Sequence, residues 1–98
     1  MKKRILEQNK YCTIVETEVH GETVHIRYTS DGFTDIRLTD AFCRTIGYKD
    51  KDAFLRDNPV STKEAIRLMG HVPEWVTMLS NGHFGLCIEI ESDRKDLN

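Results

Sequence analysis

Apolar and polar residues alternate through the first third of the chain, which is the period of a β-strand. Residues 11–19 are rich in β-branched side chains, and residues 22–30 carry apolar side chains at every second position near their centre. His20 and Gly21 separate the two segments, a spacing typical of a β-hairpin. A Ser-Asp-Gly turn then precedes residues 33–38, for which the pattern predicts a further short strand or an extended segment leading into the next element.

After residue 38 the apolar spacing changes to that of short helices. Thr39 is a favourable N-cap, and Gly47 is placed to close the helix that Thr39 begins. A second short helix is expected to begin at Asp50. It must end before Pro59, because the residue preceding a proline disfavours helical backbone angles.

A third helix is predicted by Ser61 and Glu64, which together form the pattern of a capping box, and by Gly70, which is placed to end the helix. The helix would bury three apolar side chains and direct two basic ones outward. The apolar residues are Ala65, Ile66 and Met69, and the basic residues are Lys63 and Arg67.

The region 74–91 predicts a second β-hairpin with Asn81-Gly82 at its tip. Apolar residues alternate strictly with other residues from Phe84 onward. The expected connection is a type I′ turn, in which both central residues have a positive φ angle. An alternative for the first arm is a helix that opens at Pro73 and ends at Asn81-Gly82.

Composition predicts a single globular domain over residues 1–98, with residues 1–9 and 92–98 expected to fray. Apolar residues make up 39% of the chain and charged residues 31%, which excludes a disordered polymer. No run of apolar residues is long enough to span a membrane, and the basic start lacks the apolar stretch of a signal peptide. A cytoplasmic protein without a membrane partner is therefore expected.

Charge is distributed unevenly along the chain, although its net value is only -2. Residues 37–69 contain seven basic and five acidic residues, whereas residues 70–98 contain two basic and five acidic. A mixed-sign solvated surface accounts for this distribution about as well as a binding face does.

No catalytic or metal-binding pattern emerges from the reactive residue types. The four histidines lack ligand spacing, and Cys12, Cys43 and Cys87 are too far apart to suggest a zinc site or a disulfide framework. Phosphate-binding glycine loops are absent from the sequence. The chain is therefore predicted to be non-enzymatic, to use no cofactor or metal, and to act by binding.

The order of elements predicts an α+β fold, a small winged-helix-like domain with an N-terminal β-hairpin, two to three short helices and a C-terminal β-hairpin. In such domains one helix lies against the major groove and the hairpin wing touches the flanking backbone. Duplex DNA is then the expected partner, contacted by side chains of the helical region and of the wing tip. These residues are Lys49, Lys51, Arg56, Ser61, Thr62, Lys63, Arg67, Asn81 and His83.

Five short motifs resemble the KilA-N and Bro-N type of DNA-binding domain found in phage and large-virus antirepressor-like proteins. They are Asp31-Gly32-Phe33, Leu38-Thr39-Asp40, Gly47-Tyr48, Arg56-Asp57 and the run from Ser61 to Glu64. The resemblance covers about 35 of the 98 residues. It implies a winged-helix-like α+β module that binds DNA or regulates a repressor, and hence a role in phage transcription regulation.

Two other functions remain open from the sequence. The run from Leu38 to Phe54 also resembles the helical opening of a PAS sensor domain, which implies a small-molecule sensor with an apolar pocket. A protein-interaction or inhibitor module is the third hypothesis. Such a module would bind a protein partner or form a homodimer through the edge of the strand that contains Ile88.

Overall fold

The computed structural model describes residues 3–89. Their strands are β1 (Arg4–Gln8), β2 (Cys12–Val19), β3 (Glu22–Thr29), β4 (Thr34–Arg37), β5 (Trp75–Met78) and β6 (Phe84–Leu86), and their helices are α1 (Asp40–Thr45), α2 (Lys51–Arg56) and α3 (Pro59–Met69). The strands form one antiparallel sheet in the order in which they occur in the chain. The predicted α+β class, with an N-terminal hairpin, short helices and a C-terminal hairpin, is confirmed.

The β2–β3 hairpin has the tight turn that its sequence predicts. His20 and Gly21 have φ angles of 50° and 80°, so both central residues are left-handed, as a type I′ turn requires. The two strands then pair without interruption from Val19 and Glu22 to Cys12 and Thr29.

β1 corrects the expectation that residues 1–9 fray, because residues 4–8 pair with β2 at the edge of the sheet. All five of its residues are exposed, and a register shift between Ile5 and Glu7 interrupts the alternation. β1 is therefore held by backbone hydrogen bonds to β2 and not by a buried apolar face. Because no face is buried, the sequence of β1 shows no apolar alternation. The expected fraying of residues 92–98 lies outside the described residues.

β4 joins the two hairpins into one sheet, since it pairs with β3 on one side and with β5 on the other. Ile36 lies between Ile26 and Val76 in this central row. The helices connect β4 to β5, and side chains of α1 and α2 pack with those of the sheet in one core. The buried members of this core are Val24, Ile36, Leu38, Phe42, Cys43, Phe54 and Val76.

The first two helices begin at the residues that the sequence predicts. The Thr39 hydroxyl accepts a hydrogen bond from the Phe42 amide at 3.1 Å, and the Asp50 carboxylate accepts one from the Ala53 amide at 2.9 Å. Gly47 follows α1 with a φ angle of 98°, the left-handed conformation expected after a helix end.

α3 begins earlier than predicted. Its N-cap is Asn58 and its first residue is Pro59, so Ser61 is the third residue of the helix and the expected capping box is wrong. A proline is favoured at the first helical position because its φ angle is already helical and its missing N–H has no partner there. The Glu64 carboxylate pairs with Arg67 instead of returning to the helix start.

The apolar side of α3 also differs from the prediction. Ala65 is fully buried as expected, but Ile66 is 45% exposed. α3 rests on α2 and β6, so the stripe of the helix that it buries is narrow. Gly70 ends the helix in the left-handed conformation, as predicted.

The C-terminal hairpin is confirmed for β5 and β6, and the alternative helix from Pro73 does not form. Its turn is not of type I′, because Gly82 has a positive φ angle and Asn81 does not. The Gly82 amide donates to the Leu79 carbonyl at 3.0 Å, and the Leu79 amide donates to the His83 carbonyl at 2.8 Å. These bonds define a three-residue loop in which Gly82 has left-handed backbone angles. Loops of this kind are among the next most common hairpin connections after the two-residue turns. Residues 90 and 91 of the predicted hairpin lie outside the described residues.

Candidate binding groove between two helices

α3 is the most exposed regular element of the helical layer. Eight of its eleven residues are exposed, and Ala65 is its one buried residue. Val60 is 81% exposed and Ile66 is 45% exposed. A surface helix normally buries an apolar stripe more than a quarter of its circumference wide, so α3 presents apolar side chains that the fold leaves uncovered.

A groove of about 600 Å³ runs between α2 and α3 and collects these side chains. Half of the residues that line it are apolar, and the others are polar or charged. The lining residues are Asp52, Leu55, Arg56, Pro59, Val60, Thr62, Lys63 and Ile66. The volume is within the range of natural ligand pockets and suffices for several partner side chains.

Short-range hydrogen bonds fix the angle between the two helices. The Asn58 side-chain amide donates to the Phe54 carbonyl at 2.8 Å, and the Thr62 hydroxyl donates to the Asn58 carbonyl at 2.7 Å, with the Leu55 carbonyl at 3.1 Å. The Tyr48 hydroxyl donates to the Asp57 carboxylate at 2.5 Å, which raises the pKa of Tyr48. The bonds of Asn58 and Thr62 join the end of α2 to the start of α3, and the bond of Tyr48 ties the end of α2 to the segment before it. The groove is therefore preformed.

The rim of the groove carries cations that the described part of the chain leaves without ion pairs. Arg56 and Lys63 form no ion pair within residues 3–89, and Asp52 is the acidic residue of the lining. Arg67, one turn beyond Lys63, is instead paired with Glu64. The Arg67 guanidinium lowers the pKa of Glu64, and the carboxylate raises the pKa of Arg67.

The residues predicted to contact DNA are distributed over three places. Arg56, Thr62 and Lys63 line the groove, whereas Lys49, Lys51, Ser61 and Arg67 belong to the helical region but not to the lining. Asn81 and His83 lie in the β5–β6 turn, where the Asn81 side chain accepts from the His83 amide at 3.1 Å. The Thr62 hydroxyl is directed at backbone carbonyls, so its donor is already used inside the fold.

The apolar half of the groove is not predicted from the sequence. From the sequence, neither Leu55 nor Val60 is predicted to contact a partner, Pro59 is predicted only to end the second helix, and Ile66 is predicted to lie in the core. A signal was present for Val60: it directly follows a proline that can start a helix, and first-turn side chains often remain in solvent. No local signal distinguishes Ile66 from a core residue.

A second cluster of charged groups lies on the sheet face opposite the main core. The Arg27 guanidinium contacts Asp35 and Glu89, each at 2.8 Å, and the Thr77 hydroxyl donates to Asp35 at 2.8 Å. Arg27 and Arg37 also lie over the ring of Trp75, at 4.3 and 4.5 Å from its centroid. Only 3% of Asp35 is exposed. Its charge is matched within the cluster, so we assign this cluster a structural role.

Within residues 3–89 no helix is long and apolar enough to cross a membrane, and no group of three or more histidine, cysteine or carboxylate side chains is arranged to hold a metal ion. No family model, curated protein or solved structure matches the chain. The resemblance to KilA-N and Bro-N domains therefore stays a prediction, and the groove between α2 and α3 is the surface feature that bears on function.

Proposed function

We propose that the domain is a protein-interaction module that binds an amphipathic segment of a partner protein in the groove between α2 and α3. The observation that carries this proposal is the exposed apolar pair on α3, Val60 and Ile66, set in a preformed groove. Exposed apolar side chains that occur singly are ordinary, but a lined apolar groove is typical of a recognition site.

The apolar lining favours a protein partner over the phosphate backbone of DNA. Fully burying a valine or isoleucine side chain is worth about 1.5–3 kcal/mol, and a partner gains this only by covering the side chain with apolar atoms. Val60, which is 81% exposed, retains most of that energy for an interaction. Phosphate groups offer no apolar atoms to such a surface.

The position of Lys63 defines the charge that the partner should carry. Val60, Lys63 and Ile66 follow one another at steps of three residues, so the two apolar side chains are about 9 Å apart along the axis with the ammonium group between them. A matching helix has two apolar residues two turns apart with an acidic residue between them, the arrangement of groove-binding amphipathic helices.

The same position of Lys63 disfavours a symmetric dimer through this groove. A two-fold axis that paired two copies of α3 in antiparallel fashion would place Val60 beside Ile66 of the other copy. It would also bring the two copies of Lys63 together at the axis, and like charges in contact oppose association. An acidic partner segment avoids this repulsion.

A designed peptide tests the proposal. The peptide is a synthetic helix with leucines two turns apart and a glutamate between them, titrated into the labelled domain and followed by NMR. Saturable shifts are expected at Leu55, Val60 and Ile66, and a peptide with lysine in place of glutamate should bind more weakly.

A matched pair of variants locates the binding. Val60→Asp combined with Ile66→Asp should abolish peptide binding, whereas Leu68→Asp should retain it, because Leu68 is 39% exposed on the same helix but does not line the groove. Equal affinity of the parent and the doubly substituted domain, or no saturable binding by the parent, would contradict the proposal.

Duplex DNA is the second candidate partner, and one observation favours it. Lys49, Lys51, Arg56 and Lys63 lie in or beside α2 and α3, and none forms an ion pair within the described residues. If these side chains contact phosphates, replacing one with alanine should reduce the log–log salt slope of duplex binding by about 0.9. Lys49→Glu with Lys63→Glu should then remove retention on duplex DNA, and an unchanged salt profile would exclude this candidate.

A further inference from the structure

Three exposed aromatic residues lie at one end of the sheet, and two of them share a face. Tyr11 is 63% exposed, Phe33 is 55% exposed and Tyr28 is 39% exposed, and the other five aromatic side chains are buried or half-buried. Single exposed apolar residues are ordinary on a protein surface, whereas a cluster of them marks a site of interaction.

Backbone pairing places Tyr11 and Tyr28 on one face of the sheet and Phe33 on the other. Tyr28 lies opposite Thr13 on one side and Thr34 on the other. Tyr11 is two residues before Thr13, so it shares the face of Tyr28 and lies within about 7 Å of this cross-strand row at a rise of 3.3 Å per residue. Phe33 is one residue before Thr34 and therefore lies on the opposite face. The two turns involved are joined directly, since the Ser30 amide donates to the Tyr11 carbonyl at 2.8 Å.

Lysine ammonium groups accompany two of the three rings. The Lys10 Nζ lies 5.1 Å from the ring centroid of Tyr11, and the Lys3 Nζ lies 5.9 Å from that of Tyr28. Both distances are within the range of a cation–π contact. The surface therefore contains two similar units, each of which is an aromatic ring with a positive charge beside it.

We propose that this aromatic end, formed by Tyr11 and Tyr28 with Lys3 and Lys10, binds single-stranded nucleic acid. Aromatic side chains on a sheet bind single strands by stacking with successive bases, and neighbouring cations bind the phosphates. A base that stacks on one of these rings displaces the ammonium group from the ring. The phosphate of the same nucleotide then provides a new partner for that ammonium group.

Local charge favours this partner over an anionic membrane. Two carboxylates belong to the adjoining segments: Glu7 of β1, which accepts a hydrogen bond from the Asn9 amide group, and Asp31 of the turn between β3 and β4, which is exposed. They balance Lys3 and Lys10, so the aromatic end has no excess positive charge to hold it at a lipid surface, where each cation contributes only about 1 kcal/mol. Stacking does not require a net charge, and at most two phosphates are neutralised.

Fluorescence anisotropy with labelled oligothymidylate and oligouridylate tests the inference, with a duplex of the same length as reference. The parent should bind both single strands more tightly than the duplex. The log–log salt slope should be no steeper than about -1.4, because single strands contribute about 0.7 for each neutralised phosphate. Replacing Tyr11 or Tyr28 with alanine should weaken binding about fivefold or more each. Tyr11→Phe should retain binding, and so should Phe33→Ala, because Phe33 lies on the opposite face of the sheet.

Two controls separate binding at the aromatic end from binding in the helical groove and from adsorption to lipid. Val60→Asp with Ile66→Asp should bind the oligonucleotides as the parent does, so failure of the helical groove and failure of the aromatic end are distinguishable. Vesicles of phosphatidylserine and phosphatidylcholine should not sediment the protein. No binding of single strands, duplex binding as tight as single-strand binding, unchanged affinity after removal of the Tyr11 or Tyr28 ring, or vesicle binding without oligonucleotide binding would each overturn the inference.

Discussion

Replacing Arg27 with methionine should be among the most destabilising single changes in this domain. Asp35 is 3% exposed, and it accepts hydrogen bonds from the Arg27 Nε at 2.9 Å and from the Thr77 hydroxyl at 2.8 Å. Without Arg27 the carboxylate stays buried with one neutral donor. Removing one partner of a buried ion pair costs about 3–5 kcal/mol, a large fraction of the roughly 5–15 kcal/mol that holds a typical domain.

Two further variants show whether burial is the cause. Arg44→Met removes a bidentate ion pair with Glu22, whose two contacts are 2.7 and 3.2 Å, but this pair lies at the surface, where such pairs contribute little. Arg27→Met combined with Asp35→Leu removes both buried charges, and most of the lost stability should return.

Urea unfolding monitored by circular dichroism measures these differences in the free energy of unfolding. The variants are compared at a constant slope of free energy against urea concentration. Fluorescence is a poor probe for this series, because Trp75 is the one tryptophan and lies against the Arg27 guanidinium at 4.3 Å. If Arg27→Met costs no more than Arg44→Met, or if the double variant is as unstable as the single one, the buried carboxylate does not control stability here.

Three further results are expected. Thr39→Ala should lower the free energy of unfolding by about 1 kcal/mol, because the hydroxyl caps α1, whereas Ser61→Ala inside α3 should change it by less than about 0.5 kcal/mol; urea midpoints decide this. Gly82→Val should be clearly destabilising, since Gly82 has a φ angle of 81°, whereas Gly85→Ala should be tolerated, since its new Cβ meets Leu79 at an ordinary 3.6 Å. Burial, with a smaller contribution from a neighbouring carboxylate, raises the pKa of the Cys43 thiol to about 11. The folded state therefore favours the neutral thiol. This contribution to the free energy of unfolding is complete below pH 9 and is lost as the pH rises towards 11. Mass spectrometry should find Cys43 alkylated near pH 8 only after unfolding.

The elements that could be predicted are those whose signals are local. The His20-Gly21 turn needs two residues with positive φ angles, and the sequence supplies a pair that tolerates them. Thr39 and Asp50 each accept a hydrogen bond from an amide three residues ahead, so each helix start is specified by its own neighbourhood. Such signals do not depend on the rest of the fold.

The features that were predicted wrongly depend on competition between local signals or on contacts with distant parts of the chain. Asn58-Pro59 and Ser61-Glu64 are both possible starts for α3, and the proline competes successfully because it fits the first helical position, although it was interpreted as the end of the preceding helix. β1 leaves no alternating pattern because of the irregularity after Ile5. The exposure of Ile66 depends on which elements α3 touches, and this cannot be read from α3 alone.

The position of the groove follows from how weakly α3 is attached to the rest of the fold. A helix of eleven residues with one buried residue gains little from packing, and isolated helices of this length are marginal in water. Its stability must come from its ends: a proline start, hydrogen bonds from Asn58 and Thr62 to backbone carbonyls, and the left-handed Gly70. Anchoring of this kind fixes the axis of the helix while leaving most of its surface free. A partner segment in the groove would supply the packing that the fold omits, so binding and the stability of α3 should be coupled through Val60 and Ile66.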